Sequence, residues 1–141
     1  MNFMPFILYI IGSVISFATG TAWGTFGILI PMVVAIFGEI NTLSLICISA
    51  ALAGSVTGDH CSPISETAIM SSTAAQVDFM QHVMTQLPYA MFVAGLSAIG
   101  FLLAGFIQNA IIVLVIMIVL MVSILYFIKK FIERRSKRSV V

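Results

Sequence analysis

Only four charged residues, Glu39, Asp59, Glu66 and Asp78, stand in the first 128 positions of this sequence. A chain so poor in charge cannot clothe a water-facing surface, because soluble domains carry about 25% charged and about 45–50% apolar residues. Here the charged share is 8%, the hydrophobic share 61% and the mean hydropathy +1.19. Lipid is the solvent. At about 20 residues per helical crossing the chain has room for about four passes and no sizeable extramembrane domain. Nucleic acid is excluded as a partner, since all six basic residues crowd between Lys129 and Arg138.

The apolar runs divide the chain into about four helical segments, so the expected fold is an all-α polytopic membrane protein. Residues 3–37 are too many for one straight crossing at about 1.5 Å per residue, and the middle of the run, Gly20 to Thr25, is small and polar. A helix interrupted near the midplane or a hairpin turning back there fits both facts. Residues 38–42 form a short turn. Residues 43–76 repeat the pattern, with an apolar half to Val56, a polar centre from Thr57 to Ser62 and a polar-faced half after it. Residues 83–107 read as a conventional span, Gln108-Asn109 as a turn, and 110–128 as a lipid-facing span.

This gives a membrane domain over 1–128 and a basic tail over 129–141. By the positive-inside rule that tail is cytoplasmic, which places the protein in the cell (inner or plasma) membrane. Each basic side chain near an anionic leaflet contributes about 1 kcal/mol to that orientation. Cys47 and Cys61 are too few for a disulfide framework and read as small packing residues. The start of the chain lacks the basic region of a secretory signal and already resembles a helix interior, so the sequence is expected to be a piece of something longer.

The chemistry is concentrated in the stretch from Gly54 to Thr67, GSVTGDHCSPISET. Ionisable side chains at the bilayer centre cost about 2.5–3.5 kcal/mol each on insertion scales, so Asp59, His60 and Glu66 must face a cavity or find partners. An extramembrane loop would relieve that cost. However, the apolar half before Thr57 has only 14 residues and needs the polar centre to complete a crossing. Proline has no amide proton and clashes with the carbonyl four residues earlier. Pro63 therefore predicts that the helix stops near Gly58 and restarts with Ser62 as N-cap and Pro63 at its first position. Carbonyls from Gly54 to Asp59 would then be left open at a negative helix end, facing the positive end of the next helix. With the Asp59 carboxylate and the hydroxyls of Thr57, Ser62 and Ser65 they would make a hard oxygen site for sodium, the chief candidates being Asp59, Thr57 and Ser62. Discontinuous helices of this kind form ion sites in secondary transporters.

Other features carry less. Ser65, Ala68, Ser72 and Ala75, and likewise Cys47, Ala50, Gly54 and Gly58, recur as small-residue stripes, which close helix packing explains. Ser62, Glu66 and Thr73 share another face and are candidates for lining a cavity, as are Thr21, Trp23 and Thr25 at the first break. Pro31 frees the Gly27 carbonyl. Asp59-His60-Cys61 contains three ligand types, but adjacent residues cannot readily wrap one tetrahedral zinc. A hydrolase triad of serine with His60 and Asp59 lacks a nucleophile-elbow sequence, and hydroxyls in membrane helices usually bond backbone. A non-enzymatic role follows.

The runs GTAWGTFGILIP and GDHCSPISETAIMSSTAAQVDFMQHVMTQLPYA resemble the C-terminal part of the NhaC-type sodium/proton antiporters, within the larger ion-transporter superfamily. The resemblance implies secondary active antiport without a cofactor, the transported species being sodium and protons. It carries Asp59, His60, Ser62, Pro63, Ser65 and Thr67 over from the family motif. Members of that family are several times longer, so this chain would supply a second-half fragment. Its expected partners are the bilayer and either the missing N-terminal half or another copy of itself. In the implied mechanism sodium and protons compete for Asp59, with Glu66 or His60 as a second titrating group and Thr67 in the site. His60 could equally sense pH or hold Asp59 in place. Two other readings stay open: a sodium- or proton-coupled exchanger of an organic anion or amino acid, and a truncated membrane subunit that does not transport.

Overall fold

The computed structural model describes residues 1–138, with side chains through Lys130. It is all-helical, with no strand among the described residues, and its six helices fall into two units, residues 1–108 and 109–141.

In the first unit, α1 (Met4–Thr19) and α2 (Ala22–Phe37) have 16 residues each and form a hairpin. The chain reverses at Gly20, whose φ of 69° lies in the left-handed region and whose amide donates to Ser16 O at 2.8 Å. A side chain there would be strained, and an added Cβ would also run into the Ile64 backbone. Hydroxyls tie the turn: Ser16 Oγ and Thr25 Oγ1 both donate to Thr21 O, at 3.2 and 2.9 Å. The return of α2 along α1 follows from its pairings, with Leu29 against Gly12 and Val33 in one buried cluster with Leu8 and Cys47. Of the two alternatives for the first long segment, the hairpin is the one adopted.

Helix α3 (Thr42–Cys61) begins with a reciprocal cap between Asn41 and Ser44. It runs parallel to α1 at very close range. Gly54 faces the Tyr9 carbonyl and Gly58 the Ser13 carbonyl, and a Cβ at either would collide with α1 backbone. Cys47, Ala50 and Ala51 are fully buried on the same stripe. This is the small-residue packing read from the sequence, now with its partner identified.

Helix α4 (Glu66–Ala74) follows a short non-helical break and packs more on α5 than on α3. Ser65, Ala68 and Ser72 of its small stripe are buried, whereas Ala75 is exposed. Helix α5 (Phe79–Ile107) starts at an Asp78 N-cap and runs antiparallel to α1. Phe106 meets Phe3 edge-on at 5.2 Å and Phe101 stacks on Tyr9 at 5.3 Å.

The second unit is a single helix, α6 (Ala110–Arg138), whose first amides at Ile111 and Ile112 are capped by the Asn109 side chain. It continues unbroken through Lys129 and Lys130. The remaining side chains of the expected basic tail, and residues 139–141, lie outside the described residues. Three helices are long and apolar enough to cross a membrane: Thr42–Cys61, Phe79–Ile107 and Ala110–Lys130. The chain is a polytopic membrane protein.

Candidate functional site

The site is built where the hairpin tip meets the break between α3 and α4. That break falls at residues 62–65, later than the proline alone predicted. Gly58 lies inside α3, which continues to Cys61, and Ser65 rather than Ser62 caps α4. The physical reason is that proline stops a helix as readily from just beyond its C-cap as it starts one at the first position. Ser62, the residue before the proline, is pushed into extended geometry (φ −77°, ψ 134°), as proline requires of its predecessor. The expected row of open carbonyls from Gly54 to Asp59 is therefore not formed. Ala53 O and Val56 O, just before and inside that row, also take bonds from Thr57 Oγ1 and the His60 ring, while Asp59 O accepts from the Ser62 amide.

Asp59 is the one deeply buried ionisable carboxylate among the described residues, 2% exposed. Its Oδ1 accepts from Ser65 Oγ at 2.8 Å and its Oδ2 accepts from Thr67 Oγ1. No basic side chain is among these partners. The Ser65 hydroxyl also accepts from the Ala68 amide at 3.2 Å, so it caps α4 while donating to the carboxylate. Asp59 thereby sits against the N-terminal end of α4.

The other expected ligands point elsewhere. Thr57 Oγ1 donates to Ala53 O at 2.8 Å and lies 3.2 Å from the Tyr9 hydroxyl. Residues two apart on a helix do not share a face, which is why Thr57 and Asp59 diverge. Ser62 Oγ donates to Phe17 O at 2.8 Å, because the chain has already left the helix there. Of the sodium set Asp59, Thr57 and Ser62, only Asp59 is in the cluster, and Ser65 and Thr67 join it.

Glu66 is exposed in this chain, and its Oε1 accepts from Thr21 Oγ1 at 3.0 Å. His60 is also exposed, its Nδ1–H donating to Val56 O at 2.8 Å. It faces an open groove of about 330 Å³ with Gln86 and Tyr89 rather than Asp59. Thr25 is buried within the hairpin turn, Trp23 is 74% exposed, and Thr73 is exposed with its hydroxyl on Ile69 O. Tyr9 was not singled out by sequence reasoning, since an aromatic residue in an apolar run carries no distinguishing signal. It is 2% exposed, and its hydroxyl lies 3.0 Å from Ala94 O as well as near Thr57, joining α1, α3 and α5.

A buried carboxylate held by hydroxyls at the meeting of two interrupted helical segments defines a membrane protein with an internal polar site. The profile of the Na+/H+ antiporter family matches residues 1–106. A Haemophilus influenzae protein described as uncharacterized is 47% identical over 112 residues, 79% of this chain and 22% of that protein. The malate-2H(+)/Na(+)-lactate antiporter of Bacillus subtilis is 34% identical over 100 residues, 71% of this chain and 21% of that protein. An uncharacterized Na(+)/H(+) antiporter of H. influenzae is 31% identical over 71 residues, covering 50% and 15% of the two chains. No solved structure matches. The chain belongs to the Na+/H+ antiporter family, of the NhaC type. It spans about a fifth of the length of the first two of these curated relatives.

Proposed function

We propose that this chain supplies the ion-coupling site of a sodium/proton antiporter, with Asp59 holding a sodium ion and a proton in turn. The observation that carries the proposal is the burial of Asp59 with two hydroxyls and, among the described residues, no basic partner. An ionised carboxylate only accepts hydrogen bonds, and here Ser65 and Thr67 donate to it. When a proton binds, one hydroxyl must reverse its role and accept. When sodium binds, a hard cation that prefers oxygen, both hydroxyls can turn lone pairs toward it. The two occupants need different hydroxyl orientations at the same oxygens, so each displaces the other. Such competition is the coupling that antiport requires. His60 faces its own groove and is no ligand in this reading.

In this reading the site lies at mid-depth in the cell membrane, with the basic C-terminus cytoplasmic by the positive-inside rule. The rest of the transporter completes the site and covers exposed apolar side chains such as Trp23, Met91 and Phe92. A second reading, exchange of an organic anion, draws on the name of the B. subtilis relative. Against binding a carboxylate at the start of α4, two amides there are already engaged: Glu66 N donates to Gly20 O and Ala68 N to Ser65 Oγ.

The test is reconstitution of the complete transporter in proteoliposomes carrying a pH-sensitive dye. An imposed sodium gradient should move protons with no organic anion present, and Asp59→Asn should abolish that movement. Proton movement that requires malate or lactate would favour the second reading. Full exchange by Asp59→Asn would remove Asp59 from the mechanism.

A further inference from the structure

The break between α3 and α4 serves two neighbours at once. Ser65 and Thr67 turn to Asp59. Ser62, Ile64 and Glu66 turn to the α1–α2 hairpin. Ser62 Oγ donates to Phe17 O at 2.8 Å, and Gly20 is packed so close to the Ile64 carbonyl that it has no room for a Cβ. Glu66 makes two bonds: its amide donates to Gly20 O at 3.2 Å and its Oε1 accepts from Thr21 Oγ1 at 3.0 Å. The residue between the two Asp59 partners is thus the one that holds the hairpin tip.

We propose that Glu66 is a positioning residue, a latch that transmits the occupancy of Asp59 to the α1–α2 hairpin tip, and not an ion ligand. This rests on the reading of Asp59 as the ion site. Ser65 Oγ also accepts from the Ala68 amide, so drawing that oxygen toward a bound ion pulls on the first turn of α4, which holds Glu66. That motion reaches Gly20 and Thr21 because Glu66 grips both. The tip reverses at Gly20, and Glu66 bonds both that residue and its neighbour Thr21. The latch needs an acceptor at the end of the residue 66 side chain, not a charge. This distinguishes it from a ligand or proton carrier, for which the carboxylate itself is essential.

Amide hydrogen exchange on the complete transporter in nanodiscs, with and without sodium, tests the latch. Sodium should slow exchange in two places in the native protein: at Ser65 to Ala68, reporting the site, and at Gly20 to Gly24, reporting the tip. Glu66→Gln keeps the acceptor and should preserve both responses. Glu66→Ala should keep the first and lose the second, with tip amides exchanging about fivefold faster than in Glu66→Gln, the worth of one ordinary hydrogen bond. Thr21→Val, which removes the donor at constant shape, should reproduce Glu66→Ala at the tip. If Glu66→Gln lost the response at Ser65 to Ala68, Glu66 would be a ligand and the latch would be refuted. A tip response unchanged in Glu66→Ala and Thr21→Val would also refute it, leaving the ion site intact. Absence of any sodium response in the native protein would instead remove the ion site, and the latch with it.

Discussion

Adding one methyl group to each of four helical glycines should give opposite results according to what the group meets. At Gly54 and Gly58 a Cβ would enter the Tyr9 and Ser13 carbonyls of α1, backbone atoms with no rotamer to yield. An ordinary contact between carbon and a carbonyl oxygen is about 3.3–3.6 Å, so α1 would have to retreat by about 1 Å along the face that also carries Tyr9. Overpacking of this kind costs about 1–3 kcal/mol. The helix-propensity gain of about 1 kcal/mol from replacing glycine by alanine offsets part of it. Gly54→Ala and Gly58→Ala should therefore each destabilise by up to about 2 kcal/mol, the difference of those two effects. At Gly27 and Gly95 nothing lies within 4 Å of the added carbon, so the propensity gain of up to about 1 kcal/mol should stand alone. Unfolding of the chain in mixed micelles, followed by circular dichroism, measures all four. Equal stabilities for Gly54→Ala and Gly27→Ala would show that α1 and α3 do not pack backbone to backbone.

Two further substitutions probe the site and its frame. Ser65→Ala removes both the α4 cap, worth about 1 kcal/mol, and one of the two donors to Asp59. It should lower stability in the same unfolding assay and weaken sodium binding several-fold. Tyr9→Phe deletes the hydroxyl that reaches Thr57 and Ala94 and should cost about 1 kcal/mol; a variant as stable as the native chain would show that this bond does not fasten α5.

Much of this architecture was legible because lipid leaves few alternatives. Scarce charge, two polar interruptions and two stripes of small residues led to an all-helical membrane protein with close helix packing. Asp59 stood out by the cost of placing it there. The details that escaped are those where one residue type has two local uses. Pro63 could open a helix or follow the end of one, and Ser62 and Ser65 are equally good caps, so the sequence places the break too early and counts Thr57 and Ser62 with Ser65 and Thr67 among the hydroxyls around Asp59. Whether the polar run from Gly20 to Thr25 bends or reverses the chain depends on Gly20 adopting a left-handed φ against Ile64, a tertiary contact. Tyr9 looked like any apolar aromatic, because the partners of its hydroxyl lie 48 and 85 residues away.

Direct sodium binding to the complete transporter, titrated over a range of acidity for the native protein and Asp59→Asn, bears most directly on the central claim. Competition at one carboxylate predicts that acidification weakens sodium binding to the native protein and that Asp59→Asn binds no sodium at any acidity tested. Undiminished sodium binding by Asp59→Asn, with the same response to acid, would contradict it.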